Sequence, residues 1–395
     1  MFWLASFASN VGTWVHEVGS GWLMTTLDGS PGMVSSVRVA MSVPILLLAI
    51  PAGAIADRVD RRRLLILVQV VLMLTTATIS ATTYFNTITP TLLLGLTIVM
   101  GLGMVVHVPT WQASIPELVP KGQIPQAVAL GSISFNLARS IGPALGGILI
   151  AAYGTWVAFA LNSLSFAMVI VALVQWKRPP HNVSLHETYG ASIKSGVRAV
   201  LRDRVMRNVM VRVALFVLPA SSLWSLMPLI ARDQLDWDSR GYGYLVGAVG
   251  VGAVAAAVVL PQLRSKLGND RTTCLAMCTF AIGLASLATF PSRAVAMLAM
   301  LVMGASWMMT LTTLNATAQV SLPNEIRARG MACYLSSLAG AMAVGAWWWG
   351  MVASEMSLEF TELAAAATLP LFAAPGRWLP THSASMAVQG TPTVR

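Results

Sequence analysis

Gly53-Ala-Ile-Ala-Asp57-Arg58-Val-Asp60-Arg61-Arg62-Arg63 is the stretch on which the reading of this fold turns. An apolar run from about Ala40 ends at it and another begins at Leu64, so a short charged turn separates two membrane spans. Arg58, Arg61, Arg62 and Arg63 crowd into that turn. Loops rich in Arg and Lys stay in the cytoplasm, so the turn sets its own side of the membrane.

The rest of the composition agrees. Of 395 residues, 56% are hydrophobic and only 10% charged, with a mean hydropathy of +0.71. A soluble domain carries about 25% charged residues, so this chain lacks the polar groups to cover a surface in water. The net charge of +10 lies in the loops between apolar runs, where cytosolic retention and anionic lipid account for it. No nucleic-acid partner is expected. Cys274 and Cys278 stand one helical turn apart with no His or acid beside them, so they read as packing residues, and neither a metal nor a cofactor is expected. The first apolar run starts at Phe2 without a basic leader and is too long for a signal peptide. A longer natural leader, or a slightly clipped first helix, is expected there.

Hydropathy predicts an all-α membrane protein of about twelve transmembrane helices in two pseudo-symmetric halves of six. The first half covers residues 1–176, with helices over Phe2–Leu27, Val37–Ala56, Leu64–Tyr84, Thr91–Ile115, Ile124–Ala152 and Trp156–Trp176. A cytosolic linker, 177–208, holds a basic amphipathic helix over Tyr189–Asp203. The second half, 209–374, has helices over Val209–Ala231, Tyr242–Leu263, Thr273–Phe290, Ala294–Ala318 and Arg329–Ala353, and a short, acidic, weak last one over Leu358–Ala374. Residues 375–395 read as a disordered tail. Basic residues gather at Arg58–Arg63, Lys177–Arg212, Arg264–Arg271 and Arg327–Arg329, against only Arg38, Arg232, Arg240 and Arg293 on the other side. That imbalance predicts a multi-pass protein of the cell (inner) membrane with both termini cytoplasmic. The halves also echo each other: Gln112-Ala-Ser-Ile-Pro116 closes helix 4 and Gln319-Val-Ser-Leu-Pro323 closes helix 10. A repeated six-helix unit is a signature of transporters.

The turn Gly53-x-x-x-Asp57-Arg58-x-x-Arg61-Arg62 resembles the helix 2–3 signature of the major facilitator superfamily, with Asp60 where the general pattern has Gly. The Asp before a run of Arg, with the opening Ser9-Asn10-Val-Gly12-Thr-Trp14, looks like the branch of enterobactin-exporter-like and transmembrane secretion effector proteins. In helix 5, Gly142-Pro143-x-x-Gly146-Gly147 resembles the antiporter motif, although Ala129 and Ala138 stand where its longer form has Gly. The resemblance implies a secondary transporter that works by alternating access. It also implies proton-coupled export of a small amphipathic compound such as a siderophore, an antibiotic or another secondary metabolite. The expected partners are that small molecule, protons and the bilayer, and the expected unit is a monomer. A metabolite uptake carrier, or a non-transporting scaffold or sensor on the same fold, are the alternatives. No phosphate-binding loop or protease spacing points to an enzyme.

Physical reasoning assigns roles to these residues. Gly53 lets helix 2 approach a neighbour closely. Asp57 at the cytosolic rim is drawn to the N-terminus of helix 11, near Asn324–Arg329, by a few tenths to about 1 kcal/mol. Arg61 is expected to pair with Glu117, and such contacts would hold the cytosolic side shut in one state and break in the other. Pro143 loosens helix 5, while Gly142, Gly146 and Gly147 thin one face of it. Within helix 1 lie Asn10, His16 and Glu17. A carboxylate there costs a few kcal/mol or more unless it faces water, a partner or a proton. Glu17, with His16, is therefore the expected proton-coupling site. Arg38, at the expected external start of helix 2, would neutralise Asp28 or Glu17. Asn136 and Arg139 share a face of helix 5, and Arg139 is expected to point into the cavity toward an anion. Trp111 and Trp307 are expected to line the cavity, since aromatic and Met surfaces accept varied apolar ligands.

Overall fold

The computed structural model describes residues 2–56, 59–176, 197–198, 200–373 and 379. Asp57, Arg58 and most of the predicted linker helix and of the predicted tail lie outside the described residues.

Twelve long helices follow one another: α1 (Phe2–Leu27), α2 (Pro31–Ala56), α3 (Arg61–Tyr84), α4 (Pro90–Leu118), α5 (Ile124–Tyr153), α6 (Trp156–Gln175) and α7 (Arg204–Leu229). The helical stretch Ser239–Thr289 then breaks at Gly268, where φ is +76°, into α8 (239–267) and α9 (269–289). α10 (Arg293–Ser321), α11 (Asn324–Glu355) and α12 (Leu358–Ala373) complete the set. Nine described helical stretches, with α8 and α9 counted together, are long and apolar enough to cross a bilayer. Helices satisfy their own backbone polar groups, which hydrocarbon cannot do for them. Leu67, Leu74, Ile282 and Leu298 accordingly point outward with most of their side chains uncovered.

Short polar residues start these helices by accepting otherwise orphaned backbone N–H groups. Asp60 accepts from Arg63 N at 2.8 Å, Thr89 from Leu92 N, Asp203 from Met206 N and Ser292 from Val295 N. Asp60, the departure from the motif's usual Gly, is thus the N-cap of α3.

One expectation needs correction. α2 begins at Pro31, not Val37, because Gly29 turns the chain at φ +73° and Pro31 suits the first helical turn. Arg38 therefore lies two turns inside α2 instead of at its start. The last helix has 16 residues with Pro370 inside it, and its residues 361, 362, 365, 366, 369 and 373 form one buried stripe.

The two ends of the bundle differ. At the basic end, Arg61 donates to Glu117 Oε1 at 2.8 Å and to the Ala113 carbonyl. Arg62 donates to the Leu173 and Val174 carbonyls. Buried Arg212 of α7 pairs with Asp270 of α9. At the far end the first six helices close on the last six along two seams. On one seam α5 meets α8: a Cβ on Gly243 would lie 2.5 Å from the Pro143 carbonyl oxygen, and one on Gly250 2.7 Å from that of Arg139. On the other, α2 meets α11, from Gly32 N donating to Ser354 Oγ at 3.1 Å to Leu46 against Gly340. The α5–α8 seam stops near mid-height: beyond it residues 125–133 of α5 and 254–262 of α8 are mostly exposed. That seam is shut at the far end and parted toward the basic end.

Candidate functional site

Close approach of the small-residue faces on α1 and α5 organises the junction. Gly142 leaves room for Trp14 and Gly146 for the backbone of Val15. The next residue, Gly147, faces the other way and takes Ser239 of α8 against its backbone. Ser239 Oγ donates to the Gly147 carbonyl at 3.1 Å. The Gly-Pro-Gly-Gly stretch therefore touches its own half on one face and the opposite half on the other.

Just inside the closed far end, Glu17 of α1 and Arg38 of α2 form a salt bridge of 2.7 Å. The Arg38 guanidinium also lies 5.7 Å from the centroid of Trp224 on α7, a cation–π distance. The pair borders a cavity of about 60 Å³ whose wall includes His16, Ser20, Val34, Met41, Met100, Trp224, Ser225 and Tyr242. Helices from both halves thus supply one small chamber: two opposed charges, several hydroxyls, and aromatic and Met surface.

The predicted residues divide as follows. Glu17 and His16 line the cavity. The His16 ring meets Phe159 edge-on at 5.0 Å, and its Nδ1 is buried without a hydrogen-bond partner. Of the two acids proposed for Arg38, Glu17 is the one it pairs with. Arg139 lies mid-way along α5 at the α8 seam, with Nη2 buried and unpartnered. Trp307 stands behind the wall, 5.3 Å from Trp224 and 5.5 Å from Phe216. Three expected cavity residues are elsewhere. Asn10 donates to Ser134 Oγ and ties α1 to α5. Asn136 turns back to the Ser132 carbonyl of its own helix. Trp111 stacks 6.0 Å from His107 on α4 and packs against the buried cluster of Leu65, Leu173 and Trp176 toward the basic end.

Arg61 and Glu117 pair as expected, and the bond joins α3 to α4 within the first six helices. Gly53 lies in α2; its surroundings, like Asp57 and Arg58, are outside the described residues. Tyr242 is the cavity residue that sequence reasoning missed. Its hydroxyl reaches toward Gly21, and its ring stacks 6.3 Å from Trp22 of α1. The available signal was the Gly241-Tyr242-Gly243-Tyr244 stretch at the start of an apolar run. Among the described residues no cluster of His, Cys, Asp and Glu could hold a metal.

Comparison with known proteins identifies the family. The chain is 26% identical over 284 residues to the staphyloferrin A transporter of Staphylococcus aureus, covering 72% of each chain. It is 22% identical over 389 residues to the multidrug efflux pump Tap of Mycolicibacterium fortuitum, covering 95% of this chain and 94% of that one. A crystal structure of the nucleoside transporter NupG superimposes with a TM-score of 0.78 at 13% identity, over 96% of this chain and 98% of that one. A bacterial homolog of the human lysosomal transporter Spinster, inward-facing and unoccupied, gives 0.73 at 12% identity over 96% of each chain. The family model for transmembrane secretion effectors matches residues 1–384. The chain therefore belongs to the transmembrane secretion effector family of the major facilitator superfamily, and is a multi-pass secondary transporter, not an enzyme.

Proposed function

We propose that this transporter exports small amphipathic compounds, such as a siderophore, an antibiotic or another secondary metabolite, in exchange for protons. The observation that carries the reading is the Glu17–Arg38 pair at 2.7 Å in a chamber walled by Trp224, Met41, Met100 and Tyr242. A carboxylate held by one guanidinium inside a membrane has two low-energy states: paired and charged, or protonated and released. A polar group of the substrate that reaches Glu17 competes with the proton for it. Ligands that exclude one another from a site, combined with alternating access, produce exchange. The apolar walls hold the remainder of the compound, and Arg139, with its unpartnered Nη2, offers a second polar contact. The efflux named for the Tap pumps supports the outward direction. The basic end and both termini face the cytoplasm in this reading, because Arg and Lys dominate that end. The Gly-Pro-Gly-Gly stretch and the Gly53–Arg63 turn act on the switch between states and do not touch substrate.

The test is proton movement in vesicles containing the full chain, a pH-sensitive dye and a panel of siderophores and apolar drugs. Collapse of an imposed proton gradient by a compound, abolished by Glu17→Gln, is the expected result. Flux that survives Glu17→Gln unchanged sinks the proton site. Uptake along with protons sinks export in favour of an uptake carrier. No movement of protons or of any compound favours a scaffold or sensor.

A further inference from the structure

Glu362 stands out once the transport chamber has been accounted for. It lies one turn into α12, at the closed far end, on the stripe that elsewhere reads Thr361, Ala365, Ala366, Leu369 and Ala373. Its fractional exposure is 1%. Its carboxyl group lies beside the Gln234 side-chain amide, and neither group has any other hydrogen-bond partner among the described residues. No cation among the described neighbours is turned toward it. On its own helix the nearby charge is Glu359. On the adjoining turn Arg232 pairs with Asp233. Arg240 of α8 pairs with Asp238, and Arg293 of α10 donates to the Leu235 and Asp236 carbonyls. α9 carries no charged residue between 272 and 289, and α11 ends in another acid, Glu355. Burying an ion without a counter-charge costs several kcal/mol, so this side chain is buried as the neutral acid.

The turn beside Glu362 is also part of the closure. Ile230–Gln234 forms one π-helical turn at the end of α7. From it Arg232 reaches across to the Thr25 carbonyl of α1, between the two halves. Opening the far end must break the Arg232 contact with α1, which frees the turn that lies over Glu362 from its anchor on the first half.

We infer that Glu362 is a second proton-binding site of the carrier, which takes up a proton from the far side each time that end closes and releases it when that end opens. The inference rests on the alternating-access reading but not on any substrate or on Glu17. The sign follows from linkage: the state that holds the extra proton gains as pH falls, so acid favours the closed far end. One proton per closure changes the closed-to-open ratio by up to tenfold per pH unit.

The experiment measures distance across the far end without substrate. Spin labels are attached at Thr87, in the α3–α4 turn, and Pro291, in the α9–α10 turn, both exposed, in a full-length chain with Cys274, Cys278 and Cys333 replaced by Ser. Distance distributions by pulsed electron resonance are recorded in lipid across a range of pH. We expect the long-distance population to shrink on acidification. In Glu362→Gln, and in Glu362→Leu as a second variant that continues the apolar stripe, the short distance should dominate at every pH. Glu17→Gln in the same background should keep the shift. A parent that does not respond to pH overturns the inference, as do variants that respond as the parent does. Loss of the shift in Glu17→Gln alone assigns it to the chamber and also overturns it. Failure of the export reading in the vesicle assay leaves this result standing.

Discussion

Gly243→Ala tests whether the α5–α8 seam belongs to one state of an alternating carrier. A Cβ at Gly243 would lie 2.5 Å from the Pro143 carbonyl oxygen and 3.1 Å from the Gly147 Cα, where 3.4–4 Å is ordinary contact. Both obstacles are backbone, so no rotamer change relieves them, and α8 must withdraw from α5 by about 1 Å. Overpacking of this kind costs about 1–3 kcal/mol. If the seam exists only while the far end is shut, the whole cost falls on that state. At about 1.4 kcal/mol per factor of ten, the closed-to-open ratio then falls about 5- to 150-fold. The distance measurement between labels at Thr87 and Pro291 reads this directly. Gly252→Ala is the control. Its Cβ would strike the Leu301 carbonyl of α10 within the second half, a contact that rigid-body rocking leaves in place. It should lower the unfolding temperature without redistributing distances. If Gly243→Ala loses stability and leaves the distances within twofold of the parent, the seam is static packing and the reasoning fails.

Other expectations follow from the same geometry. Arg139→Gln removes a buried, unpartnered Nη2, so the substrate-free protein should gain about 1–2 kcal/mol, seen as a raised unfolding temperature, while flux falls; lowered stability would mean that the guanidinium has a structural partner. Arg212→Ala removes the buried member of an α7–α9 ion pair and should cost about 3 kcal/mol, measured by thermal unfolding in detergent, with Arg212→Lys recovering only part of it. Trp349→Phe deletes the 2.9 Å bond from its indole N–H to the Leu218 carbonyl and should cost about 1 kcal/mol, whereas Trp347→Phe and Trp348→Phe, on exposed faces, should change stability by less than half of that.

The sequence by itself determined what depends on the solvent. Lipid demands long apolar helices and the loops sort by charge, so the layout of α1–α12 and the basic character of one end were legible from Gly53–Arg63 outward. It also marked Glu17, because a carboxylate inside a span stands out whatever surrounds it. Helix starts were legible only where a cap was recognised: the Asp28–Pro31 turn was missed, and Arg38 was therefore set two turns too near the surface. What only the tertiary structure decided is which face each span turns inward and what meets it there. Hydropathy reports how apolar a window is, not its rotation about its axis. Trp111 consequently looked like a chamber residue although it stacks on His107 of its own helix and packs toward the basic end. Tyr242 and Trp224 are ordinary aromatic residues until helices from both halves converge on Glu17 and Arg38. Glu362 is one of the acids that make the last span look weak in the sequence, and only the packing of its stripe against the rest of the bundle shows it buried.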